Sequence, residues 1–117
     1  MKPGEAYRES VKALEAALKP VVTPRDPTPT LGKMIPAIKQ SKQPFELALG
    51  PQSRHAAGLL TQLLEAVWRG QIDRHGNDDP QSLVEVDVGA AHTAFTVAVA
   101  VVHLVEEGLF WREAEAT

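Results

Sequence analysis

Two arginines and one histidine lie close together within WRGQIDRHGNDDP, the polar stretch that separates two apolar segments of the chain. Arg69 and Arg74 carry guanidinium groups, which stabilise negative charge developing on a phosphate. His75 carries an imidazole, which transfers protons near neutral pH. A guanidinium beside an imidazole is the smallest pair of groups that can cleave RNA without a metal. The histidine moves a proton to or from the 2′-hydroxyl or the leaving oxygen, and the arginine stabilises the charge on the phosphate. The pattern indicates phosphate binding with proton transfer.

The same residues also have purely structural explanations. Arg69 follows a strongly apolar segment, and a cation at the C-terminus of a helix is stabilised by the helix dipole. Arg74 and His75 lie between glycines, and in a solvated turn they would pair with the neighbouring aspartates. The residues 77–80 that follow have the composition of an ordinary turn.

Other chemistries find little support in the sequence. The chain has no cysteine, which excludes disulfides, thiolate zinc sites and cysteine nucleophiles. Its four histidines do not fall at the spacing of a known zinc site, so no metal is predicted. Gly70 and Gly76 complete neither a phosphate-binding loop nor a dinucleotide-binding fingerprint, so no cofactor is predicted.

Composition and charge indicate one globular domain over residues 1–117. The formal charge of −3 gives no general attraction to nucleic acid, so any RNA contact must be local. The N-terminus lacks the apolar stretch of a secretory signal. The longest apolar run, residues 88–102, falls short of the roughly 20 residues that span a bilayer and is interpreted as a buried core helix. We therefore expect a cytoplasmic protein without membrane contact.

Apolar periodicity predicts a first helix over EAYRESVKALEAALK, ending at Pro20, followed by a proline-rich loop. Thr30 is an N-cap candidate for a second helix, which Pro36 should shorten or kink. A single turn is expected at PFELAL. Gly50 and Pro51 then open a third, central helix that runs to Arg69.

The last apolar segment is preceded by Ser82 and Glu85 in the spacing of a capping box, which predicts a helix from about residue 83 or 86 to residue 107. A short strand over Val84–Val88 is the alternative, because valines alternate there with acidic residues. Gly108 is the candidate C-terminal cap, LFWR a short apolar clasp and EAEAT a frayed tail. Together the segments predict an all-α fold, an antiparallel bundle of four to five helices.

The order of four segments resembles the HEPN superfamily (higher eukaryotes and prokaryotes nucleotide-binding domains), in particular the small helical domains of bacterial abortive-infection proteins. These segments are SVKALEAALK, TLGKMI, the long apolar helix running into RHG, and GAAHTAFTVAVAVVHLVEE. Members that are ribonucleases carry an R-x4-6-H motif where one helix passes into a loop, and they act as homodimers. Arg69 and His75 fit this motif with five residues between them. Gly70 departs from it, since the residue after the arginine is often polar.

The resemblance implies phosphate binding for Arg69, proton transfer or positioning for His75, and a supporting binding role for Arg74. It further implies a homodimer that cleaves RNA without metal, in a bacterial phage-defence (abortive infection) or toxin–antitoxin system. The alternative is a non-catalytic HEPN-like module that binds a nucleotide, a partner protein such as an antitoxin, or another copy of itself. A third interpretation is that the chain is a purely structural helical adaptor.

Overall fold

The structure, a computed structural model, describes residues 1–75 and 88–114, with residues 72–75 described by their backbone only. This part of the chain is largely helical, as predicted, but it also contains a small antiparallel sheet. In chain order the elements are α1 (Pro3–Val22), α2 (Leu31–Lys39), β1 (Phe45–Leu47), a 3-10 turn (Gly50–Gln52), α3 (Ser53–His75), α4 (Val88–Glu106) and β2 (Phe110–Arg112).

Helix α1 continues past the proline that was expected to end it. Pro20 lies inside the helix, and the last turn closes with a hydrogen bond from the Thr23 amide to the Lys19 carbonyl. Arg112 then donates to the carbonyls of Val21 and Val22 at 3.0 and 3.1 Å. A cation at this position satisfies carbonyls that the helix leaves free, so the end at Pro20 was a wrong prediction.

Helix α2 is short and firmly held at its start. The Thr30 side chain accepts a hydrogen bond from the Lys33 amide, which confirms the predicted N-cap. The Leu31 amide donates to the carboxylate of Glu15 on α1 at 2.7 Å, which satisfies a second free donor and ties α2 to α1. Pro36 lies inside α2, which still extends to Lys39.

A two-stranded ribbon covers one end of the helices. β1 and β2 pair with Phe45 opposite Arg112 and Leu47 opposite Phe110, so the predicted turn at PFELAL is a strand. The buried rings of Phe45 and Phe110 stack with their centroids 5.5 Å apart. Gly108 has φ +69°, which confirms its role in ending α4 before the chain turns into β2.

Helix α4 packs mainly on α1 and buries one side only. The buried side is made of small residues, Ala91, Ala94, Val97, Ala98 and Val101. On the opposite side Phe95 and Val99 are 57% and 53% exposed. The prediction of a buried core helix is therefore confirmed for one side of α4 only. By length and composition alone, α4 is also apolar enough to cross a membrane.

Several sequence-based expectations lie outside the described residues. They are the capping box of Ser82 and Glu85, the alternative strand except for its last residue, Val88, which lies in α4, and most of the tail EAEAT.

Candidate functional site

Arg69 does not lie at the end of its helix. α3 is continuous from Ser53 to His75, so six further residues follow Arg69 in helical geometry. The predicted helix end at Arg69, with a loop after it, is therefore wrong. The helix dipole acts within the last turn, so it no longer explains a cation at this position.

Arg69 instead belongs to a charged bridge between α2 and α3. Its Nη2 donates to Oε1 of Glu65, one helical turn earlier, at 3.0 Å. The other carboxylate oxygen, Oε2, accepts from Nζ of Lys39 on α2 at 2.7 Å. Glu65 thus holds two cations from two helices at once, although such exposed pairs contribute little to the free energy of unfolding.

The bridge creates a local positive charge on an acidic chain. Hydrogen bonds from Lys39 and then Arg69 hold the pKa of Glu65 below its ordinary value of 4.5, so the carboxylate is ionised at neutral pH. Two cations and one carboxylate leave one net positive charge, whereas the whole chain carries −3. At physiological ionic strength charges beyond about 8 Å are largely screened, so an anion at the bridge would meet this local positive charge rather than the net charge of the chain.

The side chains of Lys39 and Arg69 line a cleft of about 490 Å³ between α2 and α3. This volume is within the range of about 300–1,000 Å³ typical of small-molecule sites. The cleft is lined by three charged residues and four residues that are largely apolar: Lys39, Glu65, Arg69, Gly32, Ile35, Pro36 and Trp68. The site therefore combines cationic donors with an aromatic wall.

Gly32 makes room for the aromatic wall. A Cβ atom built at Gly32 would lie 2.7 Å from Cε2 and Cζ2 of Trp68, well inside contact distance. The half-buried indole therefore lies against the first turn of α2, and only glycine at this position leaves it there undisturbed.

Gly70, which departs from the family motif, has a separate structural reason. A Cβ atom at Gly70 would clash with the hydroxyl of Tyr7, which donates to the Val67 carbonyl. Glycine thus lets α1 approach α3 at this point. A side chain at this position would not fit without displacing the ring of Tyr7.

The structure describes the three candidate site residues, Arg69, Arg74 and His75, to different extents. The side chain of Arg69 lines the cleft and is 72% exposed. For Arg74 and His75 only the helical backbone is described. His75 is six positions after Arg69. In a regular helix this step places the two residues about 9 Å apart along the axis and about 120° apart around it. The backbone therefore places Arg69 and His75 on different sides of α3, and their convergence in one site stays a prediction.

Lys39, Glu65 and Trp68 were not identified from the sequence. The E-x-x-x-R spacing could have identified Glu65 as a partner of Arg69, because residues four apart meet on one helix face. Lys39 lies 26 residues from Glu65, and no local pattern relates them.

A second open region lies on the other side of the molecule, between α1 and α4. This groove has a volume of about 500 Å³ and a floor of small and apolar residues, with Glu9, His103 and Glu106 among its lining residues. The apolar lining consists of Met1, Ala6, Ala13, Phe95, Ala98, Val99 and Val102. Within the described part of the chain, no group of three or more histidines and carboxylates is arranged to hold a metal ion.

Comparison of the chain with family models, curated proteins and solved structures finds no match. The interpretation of the cleft therefore rests on its own geometry and on the motif order of the sequence.

Proposed function

We propose that the chain is a HEPN-like helical bundle that binds RNA at the α2–α3 cleft and cleaves it without metal. The observation that carries the proposal is the bridge of Lys39, Glu65 and Arg69, which fixes two phosphate-binding cations at the edge of an open cleft. Guanidinium and ammonium groups are the side chains that most often bind phosphate. A role in bacterial phage defence or a toxin–antitoxin system, in the cytoplasm, belongs to the same proposal.

Cleavage would use the 2′-hydroxyl of the RNA itself. The 2′-oxygen attacks the phosphorus and the bond to the 5′-oxygen breaks, which gives a 2′,3′-cyclic phosphate and a free 5′-hydroxyl. His75 takes the proton of the 2′-hydroxyl or delivers one to the 5′-oxygen, and water makes the other of these two transfers. Arg69 binds the phosphate and stabilises the charge that develops on it, and Arg74 supports this binding.

A homodimer belongs to the same proposal, because the resemblance to HEPN ribonucleases implies one. A second copy related by a two-fold axis would add a second Arg69 and a second His75 to the assembly. A surface for such pairing exists on α4, where Phe95 and Val99 are exposed. Residues 88–102 contain no lysine, arginine, aspartate or glutamate, so the same face of a second copy can meet it without repulsion between like charges.

The direct test is cleavage of a single-stranded RNA in the presence of a metal chelator. We expect the wild-type protein to cleave and His75→Ala to lose at least about 100-fold in rate, the usual contribution of a general acid or base. Arg69→Ala should fall by a comparable factor. Arg54→Ala is the matched control, since Arg54 is on the same helix and pairs with Glu113 away from the cleft. Equal cleavage by wild type and His75→Ala, or cleavage by neither, would remove the enzymatic proposal.

The groove between α1 and α4 favours a second candidate function. Its apolar floor and the exposed face of α4 are suited to binding another protein chain. In this alternative the chain is a non-catalytic HEPN-like module, in which the cleft binds a nucleotide and the groove binds a partner such as an antitoxin. A folded protein that binds RNA or a nucleotide with no cleavage would support it.

A further inference from the structure

We infer that the α2–α3 cleft is a subsite for one nucleotide, in which the base stacks on Trp68 while Lys39 and Arg69 together bind its phosphate. The inference deepens the proposed function, since it rests on the same cleft binding RNA phosphate. It adds a recognition element for the base, Trp68, and a specific effect of Glu65 on the affinity for phosphate.

The aromatic wall favours a flat, unsaturated ligand group over a simple anion. Trp68 is half buried, so part of its indole remains available at the cleft. Ile35 and Pro36 complete an apolar lining next to it. Proteins bind single-stranded nucleic acid by combining a cationic groove with aromatic side chains on which bases stack. Both components occur here within one cleft.

The cations retain donors for a ligand. A lysine ammonium has three donors and an arginine guanidinium five. In the described part of the chain each of them makes one hydrogen bond, in both cases to Glu65. The remaining donors of Lys39 and Arg69 are therefore available to phosphate oxygens, and the shared carboxylate keeps the two cations near each other.

Glu65 both positions the cations and opposes the ligand. Its negative charge lies between the two groups that would bind a phosphate, so it repels the anion that they attract. Replacing it by glutamine raises the net charge of the cleft from one positive charge to two. At a distance of about 6 Å in a water-like dielectric, loss of this repulsion corresponds to roughly threefold tighter binding. If Lys39, Glu65 and Arg69 form only a structural ion pair and bind no phosphate, Glu65→Gln should give no such gain in affinity.

A phosphate and a base can come from a free mononucleotide or from an internal position of RNA. The experiment therefore compares three probes, adenosine monophosphate, a trinucleotide without terminal phosphates, and inorganic phosphate. Binding is followed by tryptophan emission in full-length Trp111→Phe protein, so that Trp68 is the remaining tryptophan. Variants of Trp68 lack this signal, so nucleotide binding to them is measured by the fluorescence anisotropy of labelled versions of the two nucleotide probes. The affinity for phosphate is then measured by its competition with these labelled probes.

We expect at least one nucleotide probe to bind more tightly than inorganic phosphate. Trp68→Leu should weaken nucleotide binding about tenfold and leave phosphate binding unchanged, whereas Trp68→Phe should retain most of the affinity. Lys39→Ala should weaken nucleotide and phosphate alike, and Glu65→Gln should strengthen both. Lys33→Ala is the matched control on α2, because Lys33 pairs with Asp26 outside the cleft.

The inference is overturned if neither nucleotide probe binds better than inorganic phosphate. It is also overturned if Trp68→Leu and Trp68→Phe both bind like wild type, or if Lys33→Ala weakens binding as much as Lys39→Ala. Thermal unfolding of each variant identifies any that fail to fold, in which case Trp68→Phe and Glu65→Gln carry the decision. Nucleotide binding without RNA cleavage would refute the catalytic proposal alone, and cleavage unaffected by Trp68→Leu would refute the subsite alone.

Discussion

The α2–α3 cleft and the α1–α4 groove have nearly the same volume, about 490 and 500 Å³, and opposite chemistry. The cleft has two cations around one carboxylate. The groove is mostly apolar, and its lining includes Phe95 and Val99 from the exposed face of α4. Two copies of the cleft would repel each other through their excess positive charge, whereas two copies of the α4 face can pack together. This difference is the basis for proposing that the cleft binds an anionic ligand and that the α4 face binds a second copy of the chain.

Local packing explains how the two regions arise. At the cleft, Gly32 and Pro36 on α2 leave space that is filled from α3 by Trp68, with charges at the edge. At the groove, small residues such as Ala94 and Ala98 take the buried side of α4 and its large side chains point outward. Each helix thus buries a narrow face and leaves a chemically distinct surface open.

The largest expected effect is on self-association. Phe95→Asp combined with Val99→Asp places charges on the α4 face, and in a two-fold interface like charges would meet. We expect the dimer to weaken by on the order of 100-fold or more, because buried unpaired charges are costly. Light scattering over a range of protein concentrations measures the change.

The control for this experiment is Leu59→Asp with Leu63→Asp on α3, because these leucines are 53% and 43% exposed. It should leave the dimer intact. Dissociation by the α3 pair and not by the α4 pair would show that the two-fold interface has been assigned to the wrong helix.

A smaller effect is expected from Gly32→Ala in the cleft. The added methyl group would meet the indole of Trp68 at 2.7 Å, so the ring must move, at a cost of about 1–3 kcal/mol in the free energy of unfolding. The tryptophan emission should shift as well. Gly58→Ala on α3 is the control, because nothing lies within 4 Å of its Cβ position, and it should stabilise the helix by about 0.5–1 kcal/mol. Unchanged emission and stability in Gly32→Ala would contradict the packing described for the cleft.

The smallest effect is the pH dependence of the charged bridge. Because the pKa of Glu65 is lowered in the folded protein, its ion pairs contribute stability above its ordinary pKa of 4.5. This contribution is lost as the pH falls through the lower, folded value. Wild type should therefore be more stable than Glu65→Gln at neutral pH, and the difference should vanish in acid. Urea unfolding at several pH values measures it, and a difference that persists in acid would exclude the ion pairs as its cause.

The helices were predictable from the sequence because their apolar residues repeat at helical spacing, as Leu14 and Leu18 do on α1. Their ends were less predictable. α3 was predicted to end at Arg69, but Gly70 lies inside the helix, where it accommodates Tyr7. Pro20 was interpreted as the stop of α1, yet the chain continues and Arg112 satisfies the carbonyls beyond it. In both cases a contact distant in sequence overrides the local signal.

The ribbon and the cleft were missed for a similar reason. Strands of three residues carry almost no periodicity, and the pairing of Phe45 with Arg112 joins distant parts of the chain. Arg69 was found because of its residue type and its place in a motif. Lys39 lies on α2 and Trp68 on α3, so only the packing of α2 on α3 shows that both line one cleft with Arg69.

The most direct measurement is the affinity for a labelled oligoribonucleotide at several salt concentrations, with wild type, Arg69→Ala and Arg54→Ala. Loss of Arg69 should weaken binding about tenfold and reduce the slope of log affinity against log salt by about one, because one phosphate contact is lost. Arg54→Ala has the same change in charge on the same helix and should behave like wild type. If the two arginine variants bind equally well, Arg69 and its cleft are not the RNA-binding site.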